Sequence, residues 1–385
     1  MTSYDPMARR DTPLALKLKD KIRKHGPIPV YEFVELCLFD AEHGYYRRQT
    51  AIGRNGDFIT APEISQTFGE LIGLWAATVW QQMGAPKSFH MIEYGAGRAT
   101  LMADALRAAR VLPEFLESAK ISLCDINPVL RQMQRATLAP LDLPEGQVRF
   151  VDGFNEDDLS AAHLAGEPAI IIANEFLDVW PPRQYTHADG GWHSRGIGLD
   201  NDGQLQFISP GAIDGADPFD SLQISSLDSR IPDAHAGAIV TVPDYAIADR
   251  MIGRWSRVAA LFIDYGHEEP QEGDTLQAVR NHAFEHPLTS PGEADLTHQV
   301  DFHSFRERVQ ANSHNVIVDG PMTQAEFLGR LGIIQRASRL MAANPGKAAE
   351  IEAGVMRLMS PQGMGTRFKA IGVRSRGLPT LPGFE

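Results

Sequence analysis

Phe89-His90-Met91-Ile92-Glu93-Tyr94-Gly95-Ala96-Gly97-Arg98-Ala99-Thr100-Leu101 decides the fold. Its first half reads as a short, mostly apolar strand. It then turns on two glycines one residue apart and enters Leu101-Met102-Ala103-Asp104-Ala105-Leu106, which has helical character. Glycine lets backbone approach a ligand closely because it has no Cβ. The start of the helix adds N–H groups with no partner inside the helix. Strand, glycine turn and helix are the opening unit of an open α/β sheet, whose ligands sit at the carboxyl ends of the strands.

Later strands keep to that pattern. Residues 120–124 end on Asp125, and Asn127-Pro128 then caps a helix. Residues 148–151 end on Asp152-Gly153-Phe154. The continuous apolar run 169–173, as expected for a strand covered on both faces, ends on Asn174-Glu175-Phe176-Leu177-Asp178. Residues 258–263 end on Asp264-Tyr265-Gly266-His267. Residues 301–311 and 323–331 read as helices, 315–319 and 366–373 as strands, and 284–297 as a loop.

Two regions depart from this rhythm. Between 181 and 236, short strands are parted by Asp189-Gly190-Gly191 and Asn201-Asp202-Gly203, both strong hairpin signals. This predicts an antiparallel β insertion whose far end, 209–233, is an acidic loop; 238–242 reads as an insertion or edge strand. Upstream, Leu14, Leu18 and Ile22 lie on one face of a helix, and Pro29 opens a second. Gly56-Asp57-Phe58-Ile59-Thr60-Ala61-Pro62-Glu63 then leads into an apolar stripe from Ile64 to Val79. Thr60 and Glu63 have the spacing of a capping box. The expected division is an N-terminal helical region over 1–86, a core over 87–180 and 237–385, and the insertion over 181–236.

The totals narrow the function. The chain has 385 residues, 43% of them apolar, and a net charge of −13, which argues against a nucleic-acid partner. Cys37 and Cys124 sit in apolar runs and read as buried thiols; no CxxC occurs. The N-terminus has neither a secretory nor a transit pattern, and no run of about 18 apolar residues appears, so no membrane insertion is expected.

The glycine turn fits one cofactor class better than another. Dinucleotide folds want G-x-G-x-x-G, and Thr100 breaks that fingerprint. Acid-x-G-x-G-x-G suits S-adenosylmethionine, and Glu93 through Ala99 matches it except for alanine at the last position. Glu93 would hold the cationic ammonium of the methionine end while Gly95, Ala96 and Gly97 accept the rest against backbone. Asp125 would accept the ribose hydroxyls and Asp152 the adenine amine, with Phe154 beside the ring. Glu175 and Asp178 stand where the nucleophile should arrive and could hold a guanidinium bidentately. A local capping role for Glu175 competes with this, and His267 is a further candidate for the pocket. His282-Ala283-Phe284-Glu285-His286 fits H-x-x-E-H, but Pro287 follows at once and no third ligand is evident, so no metal is expected. No G-x-S-x-G and no P-loop occurs.

The motif from Gly56 to Gln66 resembles the signature of the MidA-like family of S-adenosylmethionine-dependent methyltransferases, relatives of the mitochondrial complex I assembly-factor protein arginine methyltransferase. Glu93 to Leu101, Ala173 to Asp178, Ile263 to His267 and Ala294 to Phe302 resemble it too. The resemblance covers about residues 14–373. It implies a class I methyltransferase fold, an α/β Rossmann-like doubly wound sheet, and S-adenosyl-L-methionine as cofactor. Thr60, Gly153 and Asn174 join the expected cofactor contacts. It further implies a protein substrate, by analogy the 49-kDa-type subunit of complex I, dimethylated symmetrically on arginine. A small-molecule methyltransferase and a cofactor-binding assembly factor with little turnover are the alternatives. The family-like part starts at about Leu14, which leaves little room for a mitochondrial leader and favours a bacterial cytoplasmic protein. A homodimer is compatible with the sequence. Ala99 stands where the family has glycine and Asp125 where it has glutamate. The Gly56–Gln66 loop is expected to return over the pocket.

Overall fold

The computed structural model describes residues 5, 7–47, 60–153, 166–208, 218–313 and 315–385, with backbone alone over 218–223. Its centre is a sheet of seven main strands. They are β1 (Phe89–Tyr94), β2 (Ala119–Asp125), β3 (Val148–Asp152), β4 (Ala169–Asn174), β5 (Val258–His267), β6 (Val316–Thr323) and β7 (Phe368–Ser375). Their spatial order is β6-β7-β5-β4-β1-β2-β3. β1 lies between β2 and β4, parallel to both, and only β7 runs against its neighbours β5 and β6. The order reverses at β1, so the crevice where ligands bind in such sheets opens at its carboxyl end.

Alternation along the strands makes two cores. Phe89 and Met91 face one side with Ile121, Ile170 and Leu261, and pack against Phe68, Leu71, Ile72 and Trp75. Ile92 and Tyr94 face the other with Ile171 and Phe262, and pack against Ile247, Met251, Phe302 and Phe305. All six residues of β1 are buried, as the unbroken apolar reading of a two-sided strand requires.

The N-terminal helices form as expected over Pro13–His25 and Val30–Phe39. The next helix does not run unbroken. A single turn, Ala61–Ile64, stops at Ser65, which then caps the long helix Gln66–Gln82 through its hydroxyl. That long helix packs on Thr100–Ala109, the helix after the glycine turn, and Gly73 lets the two backbones meet at Ala105.

Both predicted hairpins are present, but they belong to different sheets. Pro182–Ala188 turns at Asp189 and Gly190, both at positive φ, into Gly191–Ser194, and its other edge pairs with Ile239–Pro243. Gly196–Leu199 pairs with Leu205–Ile208 and with Ile28–Pro29 from the N-terminal region. The acidic stretch read as loop contains a helix, Pro218–Arg230. Residues 284–297 are not simply loop either. Gln277–Arg280 pairs with Ala283–Glu285 on one side and Asp295–Thr297 on the other. Cys37 and Cys124 are both buried and free. Among the described residues no helix is long and apolar enough to cross a membrane.

Candidate functional site

A cavity of about 670 Å³ opens at the carboxyl ends of β1, β2, β4 and β5. Thr60, Glu93, Gly95, Ala96, Gly97, Asp125, Gly153, Asn174, Glu175 and Asp178 all line it. Sequence separation among them exceeds a hundred residues, and the sheet order brings them together.

The glycine turn is held from both sides. Gly95 and Gly97 have φ of 69° and 52°, in the left-handed region. The Gly95 N–H donates to the Cys124 carbonyl at 3.0 Å, and the Gly97 N–H to Asp125 Oδ2 at 3.1 Å. A Cβ on Gly95 would sit 2.9 Å from the Phe176 ring, so glycine there lets that ring cover the turn. Glu93 is 4% exposed; it accepts the N–H of Met102, and its Oε2 has no partner among the described residues. Burial, then the nearby Asp125 carboxylate, push its carboxyl up to about 8. Asp125 is itself pushed up by burial to about 6, although Asn127 and Gly97 each donate an N–H to it.

This end of the cavity suits a ligand with a cation near Glu93 and hydroxyls near Asp125. A buried acid with an open oxygen costs folding energy unless a cation comes to it. The match to S-adenosylmethionine is therefore one of chemistry as well as motif.

The other end is richer in acid. Glu175 has a φ of 51°, rare for a residue with a Cβ. Its N–H donates to the Ile263 carbonyl at 2.8 Å, and its Oε1 accepts from Ala61 N–H at 2.9 Å and Asn174 Nδ2 at 3.1 Å. Burial pushes it up to about 7, against the Ala61 hydrogen bond. Burial and the neighbouring Asp264, Asp295 and Glu175 carboxylates raise Asp178 well above the ordinary range, against a hydrogen bond with Tyr265. Asp178 Oδ1 has no partner among the described residues. Asp264 lies beneath this turn, and its Oδ2 accepts the N–H groups of Phe176, Leu177 and Asp178 at 3.0, 2.8 and 3.2 Å. It thereby fixes the backbone that carries both acids.

The structure places several of the expected residues away from the cavity wall or outside the described residues. Asp152 is absent from the cavity wall; its carboxylate is 60% exposed and pairs with Arg131 at 2.9 Å, because the last residue of an edge strand can turn outward. His267 is also outside the wall, with Nδ1 donating to the Glu269 carbonyl at 2.7 Å. Phe154 and the loop before Thr60 lie outside the described residues. The capping box at Thr60 and Glu63 does not form. Instead Glu63 accepts from Thr100 Oγ1 at 2.6 Å and Arg98 at 3.4 Å, and Glu175 takes the Ala61 N–H. These bonds tie the end of the motif loop to the glycine turn, and Thr60, Pro62 and Glu63 line the same cavity as Gly97. Sequence reasoning missed Tyr46, whose hydroxyl donates to Asp295 at 2.9 Å, and the wall residues Trp180, Tyr265, Arg357 and Arg367. Asp295 and Thr297 fall inside a stretch that carried the family resemblance, which was the available signal for them.

Comparison with known proteins agrees with this geometry. Residues 71–321 match a family described as "Putative S-adenosyl-L-methionine-dependent methyltransferase". A Drosophila melanogaster relative named protein arginine methyltransferase NDUFAF7 homolog, mitochondrial, is 34% identical over 92% of this chain and 83% of its own length. The Mus musculus protein arginine methyltransferase NDUFAF7, mitochondrial, is 33% identical over 93% and 83%. A solved structure from Burkholderia thailandensis, described as a candidate methyl transferase and bound to S-adenosyl-homocysteine, superposes with a TM-score of 0.81. It is 26% identical, and the match covers 96% of this chain and 94% of that one. The fold is that of the class I methyltransferases, the cofactor is S-adenosylmethionine, and the chain belongs to this family of S-adenosylmethionine-dependent methyltransferases.

Proposed function

We propose that the chain is a protein arginine N-methyltransferase. The observation that carries this reading is the group of buried carboxylates Glu175, Asp178 and Asp295 on the cavity wall, with Asp264 beneath them. Asp264, Asp295 and Glu175 raise the affinity of Asp178 for a proton, which is the condition a guanidinium would relieve by supplying positive charge and paired N–H donors. The printed names of the relatives support the same substrate class.

In this reading the bound cofactor supplies an activated methyl group. Glu93 pairs with its ammonium, Asp125 accepts its ribose hydroxyls, and Thr60, Gly95, Ala96, Gly97, Gly153 and Asn174 shape its bed. Glu175 and Asp178 would hold and orient the substrate guanidinium. Methyl transfer to an activated carbon needs alignment and exclusion of water more than acid–base work. Raised carboxyls close by can also take the proton that the methylated nitrogen releases. The family resemblance suggests the 49-kDa-type subunit of complex I as the protein substrate, and a part in complex I assembly.

The test is Glu175→Gln with labelled cofactor and that subunit. We expect methylation to fall about 100-fold, the order of loss when a nucleophile is misplaced, while the subunit still binds. Unchanged methylation would remove Glu175 from the mechanism. Label entering a metabolite and never a protein would sink the arginine reading.

A further inference from the structure

The opening of the cavity carries the opposite charge from its depth. Arg357, near the end of the helix Ala348–Met359, and Arg367, just before β7, both line the cavity and are both exposed. Neither guanidinium has a hydrogen bond or ion pair with a described residue, although the charge of Arg357 reaches Glu175 and draws its carboxyl down, whereas Arg98 of the same wall is held by Glu63. The chain has 49 acidic residues against 36 Lys and Arg, so surface arginines have carboxylates to choose from. Two exposed arginines on the wall that also holds buried Asp178 and Glu175, neither in an ion pair among the described residues, are free to meet a ligand's carboxylates. The same wall has aromatic members: Trp180 lines it, and Phe284 does so while remaining 69% exposed.

We propose that this rim selects the residues flanking the methylated arginine, and that the substrate segment carries Asp or Glu next to it. This rests on the arginine reading above. The acids below accept one cation. The rim arginines pair with carboxylates on either side of it and repel further cations, while Phe284 and Trp180 cover apolar neighbours. Selection works in both directions: acidic flanks gain charge-assisted hydrogen bonds, and basic flanks meet like charge. A glycine- and arginine-rich segment is the wrong partner for such a mouth.

The experiment uses the full chain saturated with S-adenosylhomocysteine and four labelled peptides of one length. Three carry a central arginine flanked by glutamate, glutamine or lysine; the fourth is the glutamate peptide with citrulline at the centre. Two solvent-exposed pairs should favour glutamate over glutamine flanks by about fivefold, and lysine flanks should bind weakest. Arg357→Gln with Arg367→Gln should erase the ranking and leave S-adenosylhomocysteine affinity unchanged. Equal binding of the three arginine peptides, no binding of any, or a ranking that survives the double substitution would overturn the proposal. A glutamate preference with citrulline bound as well as arginine supports the rim's choice of acidic partners and sinks the arginine reading instead.

Discussion

A buried or half-buried acid stands at each end of β1, Glu167 at the amino end and Glu93 at the carboxyl end, and their surroundings differ. At the amino end Glu167, just before β4, accepts from Ser88 at 3.0 Å, from His90 Nε2 at 2.7 Å and from Lys120 at 2.7 Å. Burial alone would raise its carboxyl, but those three donors win and bring it to about 2. At the carboxyl end Glu93, three residues along from His90, has one N–H and an open oxygen, and stands at about 8. Backbone strain divides less sharply. Gly95, Gly97, Ala99 and Glu175 have positive φ at the carboxyl end, where Ala99 and Glu175 carry a Cβ; at the amino end Gly84, Ala85 and Gly166 have it, and Ala85 alone of these carries a Cβ. The Glu167 carboxylate is satisfied by folding; the Glu93 carboxylate keeps an open oxygen among the described residues, as an acid awaiting a cation would. Stability is given up where binding takes place.

Glu93→Gln is the sharpest way to break this comparison. If Glu93 awaits a cation, the substitution should weaken S-adenosylhomocysteine binding by about 10- to 100-fold, the value of a charge-assisted contact. It should also stabilise the ligand-free protein at pH 8 by about 2 kcal/mol, because a buried charge is removed. Calorimetry and thermal melts read both. A destabilised ligand-free variant would make Glu93 a structural acid like Glu167.

pH separates the two ends next. For a carboxyl raised in the folded state, the folded form holds a proton that the unfolded chain has released. Stability from Glu93 and Glu175 is therefore present below about pH 4.5 and lost as pH rises through about 7 to 8. For Glu167 the sign reverses: its contribution is present above about 4.5 and lost as pH falls toward 2. The ligand-free melting temperature should fall between pH 6 and 8.5, S-adenosylhomocysteine should restore more at 8.5 than at 6, and Glu167→Gln should flatten the acid limb alone. A cofactor effect equal at both pH values would show that binding does not relieve these acids.

The locally decided parts of the molecule were the legible ones. β1, the glycine turn, the Asn127 cap and both hairpin turns follow from local chemistry, because each is decided by residues a few positions apart. The capping box was misread for a physical reason. Thr60 and Glu63 have the right spacing, but Thr100, brought in by the sheet, takes the Glu63 carboxylate, and the Glu63 N–H donates to the Thr60 carbonyl instead of its hydroxyl. Asp152 and His267 were placed correctly at strand ends, yet side-chain direction at a strand's last residue is not encoded in periodicity. The assignment of the 209–233 stretch to loop failed because the helix Pro218–Arg230 has little amphipathic pattern. Tyr46, Arg357 and Arg367 reach the cavity from segments far from the strands, with no motif to announce them.

Ala99 gives the smallest expected effect and tests the strained end most finely. It takes the last position of the acid-x-G-x-G-x-G pattern, at φ 63°, and it is fully buried. Replacing it with glycine relieves about 1 kcal/mol of left-handed strain. Against that stand the loss of a buried methyl, about 0.8 kcal/mol, and the greater freedom of glycine in the unfolded chain, about 0.5 to 1 kcal/mol. The terms nearly cancel, so Ala99→Gly should destabilise by about 0.5 kcal/mol. Cofactor affinity should not move, because Ala99 faces the core with Phe68 and Leu101 while its neighbours Gly97, Arg98 and Thr100 line the cavity. Tighter binding by the glycine variant would mean that the alanine methyl intrudes on the ligand, and that strain at this end of β1 limits binding as well as stability.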